Sequence, residues 1–191
     1  MKPSFDSVAG LIHDLSPQEQ ETMLRTENRP SLKRFLVECM KSIWHRVTYD
    51  QSVGLVPLIE RAVGRANLNN INRDITQKRF PLKGTSVRSV KCRVEAYLDG
   101  ETSEQAAKRL TDAGHVLAST GDLAGYLHDY PEEVAKWSGW VLAISEDSRW
   151  SFPDGFVVVP YAYVLGAYRL FDLDDFRNQF DSIYGVLVLS E

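Results

Sequence analysis

The chain predicts an α+β fold: a helical N-terminal lobe followed by a small, mainly antiparallel sheet with helices packed on one side. Three observations carry that expectation. Apolar residues recur at helical spacing through the first third. The spacing switches to strict alternation at Val90. From Trp140 onward, short β-type runs are separated by turn residues. The expected division is a helical lobe over 1–68, a basic, Asn-rich connection over 69–86 and a sheet domain over 87–191, compatible with one continuous domain.

Phe5, Val8, Ala9, Leu11, Ile12 and Leu15 share one helical face. Ser16-Pro17-Gln18-Glu19 restarts the chain, with Ser16 as cap, Pro17 at the first helical position and Glu19 three residues beyond the cap. After Asn28-Arg29-Pro30-Ser31, the residues Leu32, Phe35, Leu36, Cys39, Met40, Ile43, Trp44 and Val47 predict one long amphipathic helix. Pro57 to Ala66 predicts another, with Leu58, Ile59, Ala62 and Val63 inward.

Val90, Cys92, Val94 and Ala96 alternate with Lys91, Arg93, Glu95 and Tyr97, the pattern of a half-buried strand. Thr102 with Gln105 predicts a capped helix stopping near Gly114, and Asp122 predicts the cap of a second that Pro131 breaks or restarts. Trp140 to Ile144, Phe156 to Tyr163 and Tyr184 to Leu189 predict strands. Pro153-Asp154-Gly155 is a turn signal, because Pro presets φ and Gly accepts positive φ. Pro160 inside its strand predicts an edge or a bulge. Gly166 allows a tight reversal, and Asp174 to Phe180 predicts one helical turn or a loop. The implied sheet is an antiparallel meander.

With 191 residues, 43% of them hydrophobic and 25% charged, the chain can bury a core without disulfides or metal. Its two cysteines, Cys39 and Cys92, are too few for a disulfide framework and fit a reducing cytosol. Residues 1–23 are acidic and helically spaced, unlike a signal or transit peptide. No apolar run approaches the ~18 residues a membrane span needs. The expectation is a cytoplasmic protein with no membrane partner.

Charge divides the chain. Leu24 to Val94 holds 15 Lys and Arg against 5 Asp and Glu, whereas Glu95 to Glu191 holds 6 against 17. The positive excess concentrates in Arg73, Lys78, Arg79, Lys83, Arg88, Lys91 and Arg93, opposed within that segment by Asp74 alone. Such a row of cations suits a nucleic-acid backbone or an acidic protein surface, including the acidic half of the same chain. Pairing within the chain or with a protein outranks nucleic acid, since overall the chain is acidic. The helix from Leu32 has a mixed polar face, with Glu38 among Arg34, Lys41 and His45. Thr102 to Leu127 would place acids on a DNA-reading helix, which phosphate repels.

Fourteen of the 20 aromatic residues lie between Tyr126 and Tyr184. Trp137, Trp140 and Trp150 are candidates for an aromatic pocket or interface, against the plainer reading that they fill a thin core. Asp172, Asp174, Asp175 and Asp181 miss the spacing of a calcium loop. His13, His45, His115 and His128 show no zinc-ligand spacing, and both cysteines sit on apolar faces. No phosphate loop, dinucleotide fingerprint or nucleophile elbow is present, so the sequence points to no catalytic residue, metal or cofactor.

Trp150, Pro153-Asp154-Gly155, Val159-Pro160 and the closing Tyr184, Val186, Leu187 and Val188 resemble the end of uncharacterised bacterial proteins. That resemblance covers the C-terminal third and implies no function. The expected function is therefore non-enzymatic binding, with the basic segment 73–93 and the acidic, aromatic C-terminal half as working surfaces. Nucleic-acid binding through 73–93 is one alternative, and a small enzyme with a Trp-lined pocket is the other.

Overall fold

The computed structural model describes residues 43–190. The helices expected from Phe5, from Ser16 and over most of the Leu32 stretch lie outside the described residues. Where that stretch enters the described region, its expected helix is absent. His45–Asp50 is a strand, β1, and Ile43 and Trp44 precede it in no regular element. Val47 and Tyr49 are buried while Arg46 and Thr48 are exposed. Over these residues the period is two, and β-branched and aromatic side chains favour the extended chain.

Gly54, with φ of 84°, turns the chain into helix α1, Leu55–Val63, which buries Leu55, Leu58, Ile59, Ala62 and Val63. A short 3-10 helix, Arg65–Asn70, follows. Strand β2, Val87–Ala96, precedes the two-residue β3, Glu101–Thr102. Thr102 then caps helix α2, Ser103–Asp112, in a reciprocal capping box with Gln105. Strand β4, Val116–Leu117, separates α2 from helix α3, Thr120–Asp129, and Pro131 opens the short helix α4, Pro131–Val134. The chain continues through β5, Val141–Leu142, and β6, Trp150–Ser151. The long hairpin of β7, Val157–Leu165, and β8, Tyr168–Asp175, comes next. Strands β9, Gln179–Phe180, and β10, Gly185–Leu189, close the fold.

The strands build an 8-stranded sheet in the order β1-β2-β10-β5-β7-β6, with β4 also on β10 and β8 also on β7. β3 and β9 form a separate ribbon. The β10–β5 pair is parallel, so the sheet is mixed. Strand parity shows that both faces are covered. Cys92, Val94, Val141, Ala162, Leu187 and Leu189 share one core with residues of α1 and α3. Their neighbours Leu142, Val159, Tyr161, Val186 and Val188 are also buried and point the other way. α2 belongs to that second side. His115, just past its end, lies 3.8 Å from Glu95, which alternates with Val94 along β2.

These findings correct the expected fold class. The chain carries a mixed α/β arrangement dominated by an eight-stranded sheet. Among the described residues, the part of the expected helical lobe from 43 to 68 is not all helical, since strand β1 begins at His45, and helices lie on both faces of the sheet instead of one. Pro160 is likewise not at an edge, because β7 is paired on both sides. Its carbonyl accepts from Ala143 N–H at 3.0 Å, so its missing N–H faces the gap between β5 and β6. Asp174 and Asp175 end β8 instead of starting a helical turn.

Gly121 and Gly125 let α3 lie close on β1. A Cβ at Gly125 would stand 2.6 Å from Val47 Cγ1 and 2.9 Å from Tyr49 Cδ1. Gly125→Ala gains about 1 kcal/mol of helix propensity. Overpacking costs about 1–3 kcal/mol, and neither buried strand side chain has room to swing aside. The expected outcome is a net loss of stability in urea denaturation, with an unchanged m-value.

Candidate functional site

The basic segment does not form one continuous cationic face. Arg79 pairs with Asp74, and its guanidinium lies 5.5 Å from the Trp150 ring centroid and 5.7 Å from that of Phe152. Lys83 Nζ lies 2.5 Å from Asp147 Oδ2, and Arg93 Nε lies 2.5 Å from Glu95 Oε1. Arg88 is held by Asp122. Arg73, Lys78 and Lys91 are exposed and make no ion pair among the described residues. Three of the pairings, at Lys83, Arg88 and Arg93, use acids of the negative half of the chain.

Asp122 is the most constrained of these groups. Its carboxylate is fully buried. Tyr49 Oη donates to Oδ1 at 2.9 Å, and Arg88 Nε donates to the same oxygen at 2.8 Å. Ser119 donates to Oδ2 twice, from its N–H at 2.9 Å and its hydroxyl at 2.7 Å. Ser119, not Asp122, is the helix cap, and Asp122 closes the capping box from the third helical position. Burial, followed by the Asp122 charge and hydrogen bond, pushes the Tyr49 phenol well above its usual range, so it stays a donor. The Asp122 hydrogen bond is the main influence raising the Arg88 guanidinium pKa, against the opposing effect of burial. The spacing of Ser119 and Asp122 was the available sequence signal; the reach of Arg88 and Tyr49 from two strands was not visible.

The three tryptophans do not meet in one cavity. Trp137 is 6% exposed and packs over Gly185, where a Cβ would come within 3.2 Å of its ring. Trp150 lies beneath Arg79. Trp140 stacks on Tyr161 on the second side of the sheet, with centroids 4.3 Å apart and planes 20° apart.

Around that stack lies an aromatic and acidic face that the spacing of the tryptophans alone did not reveal. Tyr161 registers against Asp172, and Val159 against Asp174. Both carboxylates therefore point to the same side as Tyr161. Asn72 Nδ2 donates to Asp172 Oδ1 at 2.5 Å, which anchors the start of the basic segment beside β8. Asp174 Oδ1 accepts from the Asp175 N–H and from Asn178 Nδ2, whereas its Oδ2 is buried and has no hydrogen-bond partner among the described residues. Burial raises the Asp174 carboxyl pKa; its two hydrogen bonds oppose the shift, and the charges of Asp175 and Asp172 add to it.

Two concavities lie elsewhere. One, of about 160 Å³, is bounded by β1, α1 and the end of α3. The other is an open groove of about 640 Å³ between α2 and the 145–149 segment, where Lys108 pairs with Asp112 along α2 and Lys83 pairs with Asp147. Cys92 is fully buried, and burial, its largest influence, raises the thiol pKa, so it is not a ready nucleophile. Cys39 and His13 lie outside the described residues. Among the described residues, no three His, Cys, Asp or Glu side chains gather as a metal site. No helix among them is long and apolar enough to cross a membrane.

The unpaired oxygen of Asp174 yields a pH prediction. A raised folded pKa means that the folded state holds this proton more tightly than the unfolded chain. The group therefore costs stability as pH rises from the ordinary aspartate range, near 3.9, through the raised value. Asp174→Asn should be more stable than the parent at pH 7, with the difference shrinking towards pH 4. Urea midpoints across that range are the check; a variant that is less stable at every pH would contradict the assignment.

Comparison with known proteins finds no matching family model, no matching curated protein and no matching solved structure.

Proposed function

We propose that this protein is a non-enzymatic binding protein whose acidic, aromatic face on β7 and β8 takes a basic segment of a protein partner. The observation carrying the reading is the placement of Trp140, Tyr161, Asp172 and Asp174 on one side of the sheet. Aromatic faces and carboxylates together attract guanidinium and ammonium groups, through ring quadrupole and charge. Trp140, Asp172 and Asp174 are all partly exposed. Neither acid makes an ion pair among the described residues. The arginines closest in sequence are committed elsewhere: Arg169 donates to the Ala62 carbonyl and Arg177 to that of Gly155. Tyrosine and tryptophan are also the side chains most often central to protein interfaces.

Nucleic acid is the weaker reading. Of the seven cations from Arg73 to Arg93, three have no acid partner among the described residues, and phosphate binding draws its strength from the number of cations engaged.

Fluorescence anisotropy at low salt separates the two. A labelled Lys- and Arg-rich peptide should bind, and the double variant Asp172→Asn, Asp174→Asn should weaken it about tenfold, the loss expected for charge-assisted contacts. Both asparagines keep an acceptor oxygen, so folding is preserved. A peptide that fails to bind, or binds the variant equally, would overturn the proposal. Duplex DNA that binds and is released by Lys78→Gln with Lys91→Gln would favour the nucleic-acid reading instead.

A further inference from the structure

The smaller cavity carries chemistry that the proposed interaction face does not use. Its floor is formed by Tyr49, Leu58 and Gly125, where the close approach of α3 to β1 leaves a recess of about 160 Å³. That is well below the roughly 300 Å³ lower bound of cofactor and drug-sized sites. A nucleotide or a flavin does not fit, whereas a molecule of amino-acid size does.

A guanidinium, carboxylates, the His128 imidazole and main-chain groups surround the recess. Arg61 supplies a cation, and its guanidinium makes no hydrogen bond or ion pair among the described residues. Asp50 and Asp129 supply carboxylates. Asp50 is anchored, with Oδ1 accepting from Ser52 N–H at 2.9 Å, and Asp129 Oδ1 lies 2.8 Å from His128 Nδ1. Thr48 supplies main-chain groups. Tyr130 Oη donates to the Arg46 carbonyl at 2.9 Å, so the even-numbered peptides of β1 face away from β2. The N–H and C=O of Thr48 therefore lie on the outer edge of the strand, at the cavity.

A cation and carboxylates around one recess of this size match a ligand bearing both charges. We infer that this cavity binds a small α-amino-acid zwitterion, its carboxylate held by Arg61 and its ammonium by Asp129 with Asp50. A guanidinium grips a carboxylate through two parallel N–H bonds, a geometry that a simple amine in the ligand cannot replace. The apolar floor of Leu58 and the Tyr49 ring would receive the ligand side chain. This site is independent of the β7–β8 face, so either can fail without the other.

Isothermal titration calorimetry with each of the twenty free amino acids tests it directly. At least one should bind saturably, while its methyl ester and its N-acetyl derivative, each lacking one of the two charges, bind about tenfold more weakly or not at all. Arg61→Leu and Asp129→Asn should each cause a similar loss for the parent amino acid. Arg61 and Asp129 are exposed, so thermal melting should show both variants folded. If only the N-acetyl form binds, a peptide terminus and not a free amino acid occupies the site, and the inference is overturned. Absence of saturable binding up to about 10 mM, or binding untouched by both substitutions, overturns it as well.

Discussion

One buried charge organises the described part of the molecule. Asp122 sits in the first turn of α3 with no exposure to solvent, where an unpaired carboxylate would cost several kcal/mol. It is tolerated because three elements converge on it: β1 through Tyr49, β2 through Arg88, and the helix start through Ser119. The neighbouring glycine is part of the same arrangement, since a Cβ at Gly121 would stand 3.0 Å from the Tyr49 hydroxyl. Loss of any one partner leaves the others facing a half-satisfied carboxylate in a low-dielectric interior. The position of α3 on β1, and with it the recess beside Gly125, follows from this constraint.

The charge division of the sequence takes a different meaning in this light. Lys83, Arg88 and Arg93 meet Asp147, Asp122 and Glu95, so part of the positive excess neutralises the negative half inside one molecule. These pairs differ in worth. Lys83 is largely exposed and its pair contributes little, while Arg88 compensates a fully buried charge. What remains outward is unequal: Arg73, Lys78 and Lys91 on one hand, and Asp172 and Asp174 beside the Trp140–Tyr161 stack on the other.

Local chemistry was legible in the sequence, and distant pairing was not. The Thr102–Gln105 capping box, the alternation from Val90 and the turn at Gly155 depend on residues a few positions apart, and each is found. β1 was hidden because Val47 also satisfies a helical stripe begun at Leu32, and only pairing with β2 decides the outcome. The parallel contact of β10 with β5 and the burial of both sheet faces are equally non-local. The aromatic crowd was visible as composition. Its division into Trp137 in the core, Trp150 under Arg79 and Trp140 on Tyr161 depended on strand parity.

Because the Trp140–Tyr161 face, the recess and the packing of α3 all rest on the same sheet, the Arg88–Asp122 contact is the decisive interaction. A double-mutant cycle with Arg88→Met and Asp122→Leu, read by urea denaturation, measures it most directly. Each single change should cost about 3–5 kcal/mol, and the double variant should recover about 2 kcal/mol or more of the sum. Single costs that add within about 0.5 kcal/mol would show that the two groups act independently, and would contradict their coupling in the fold.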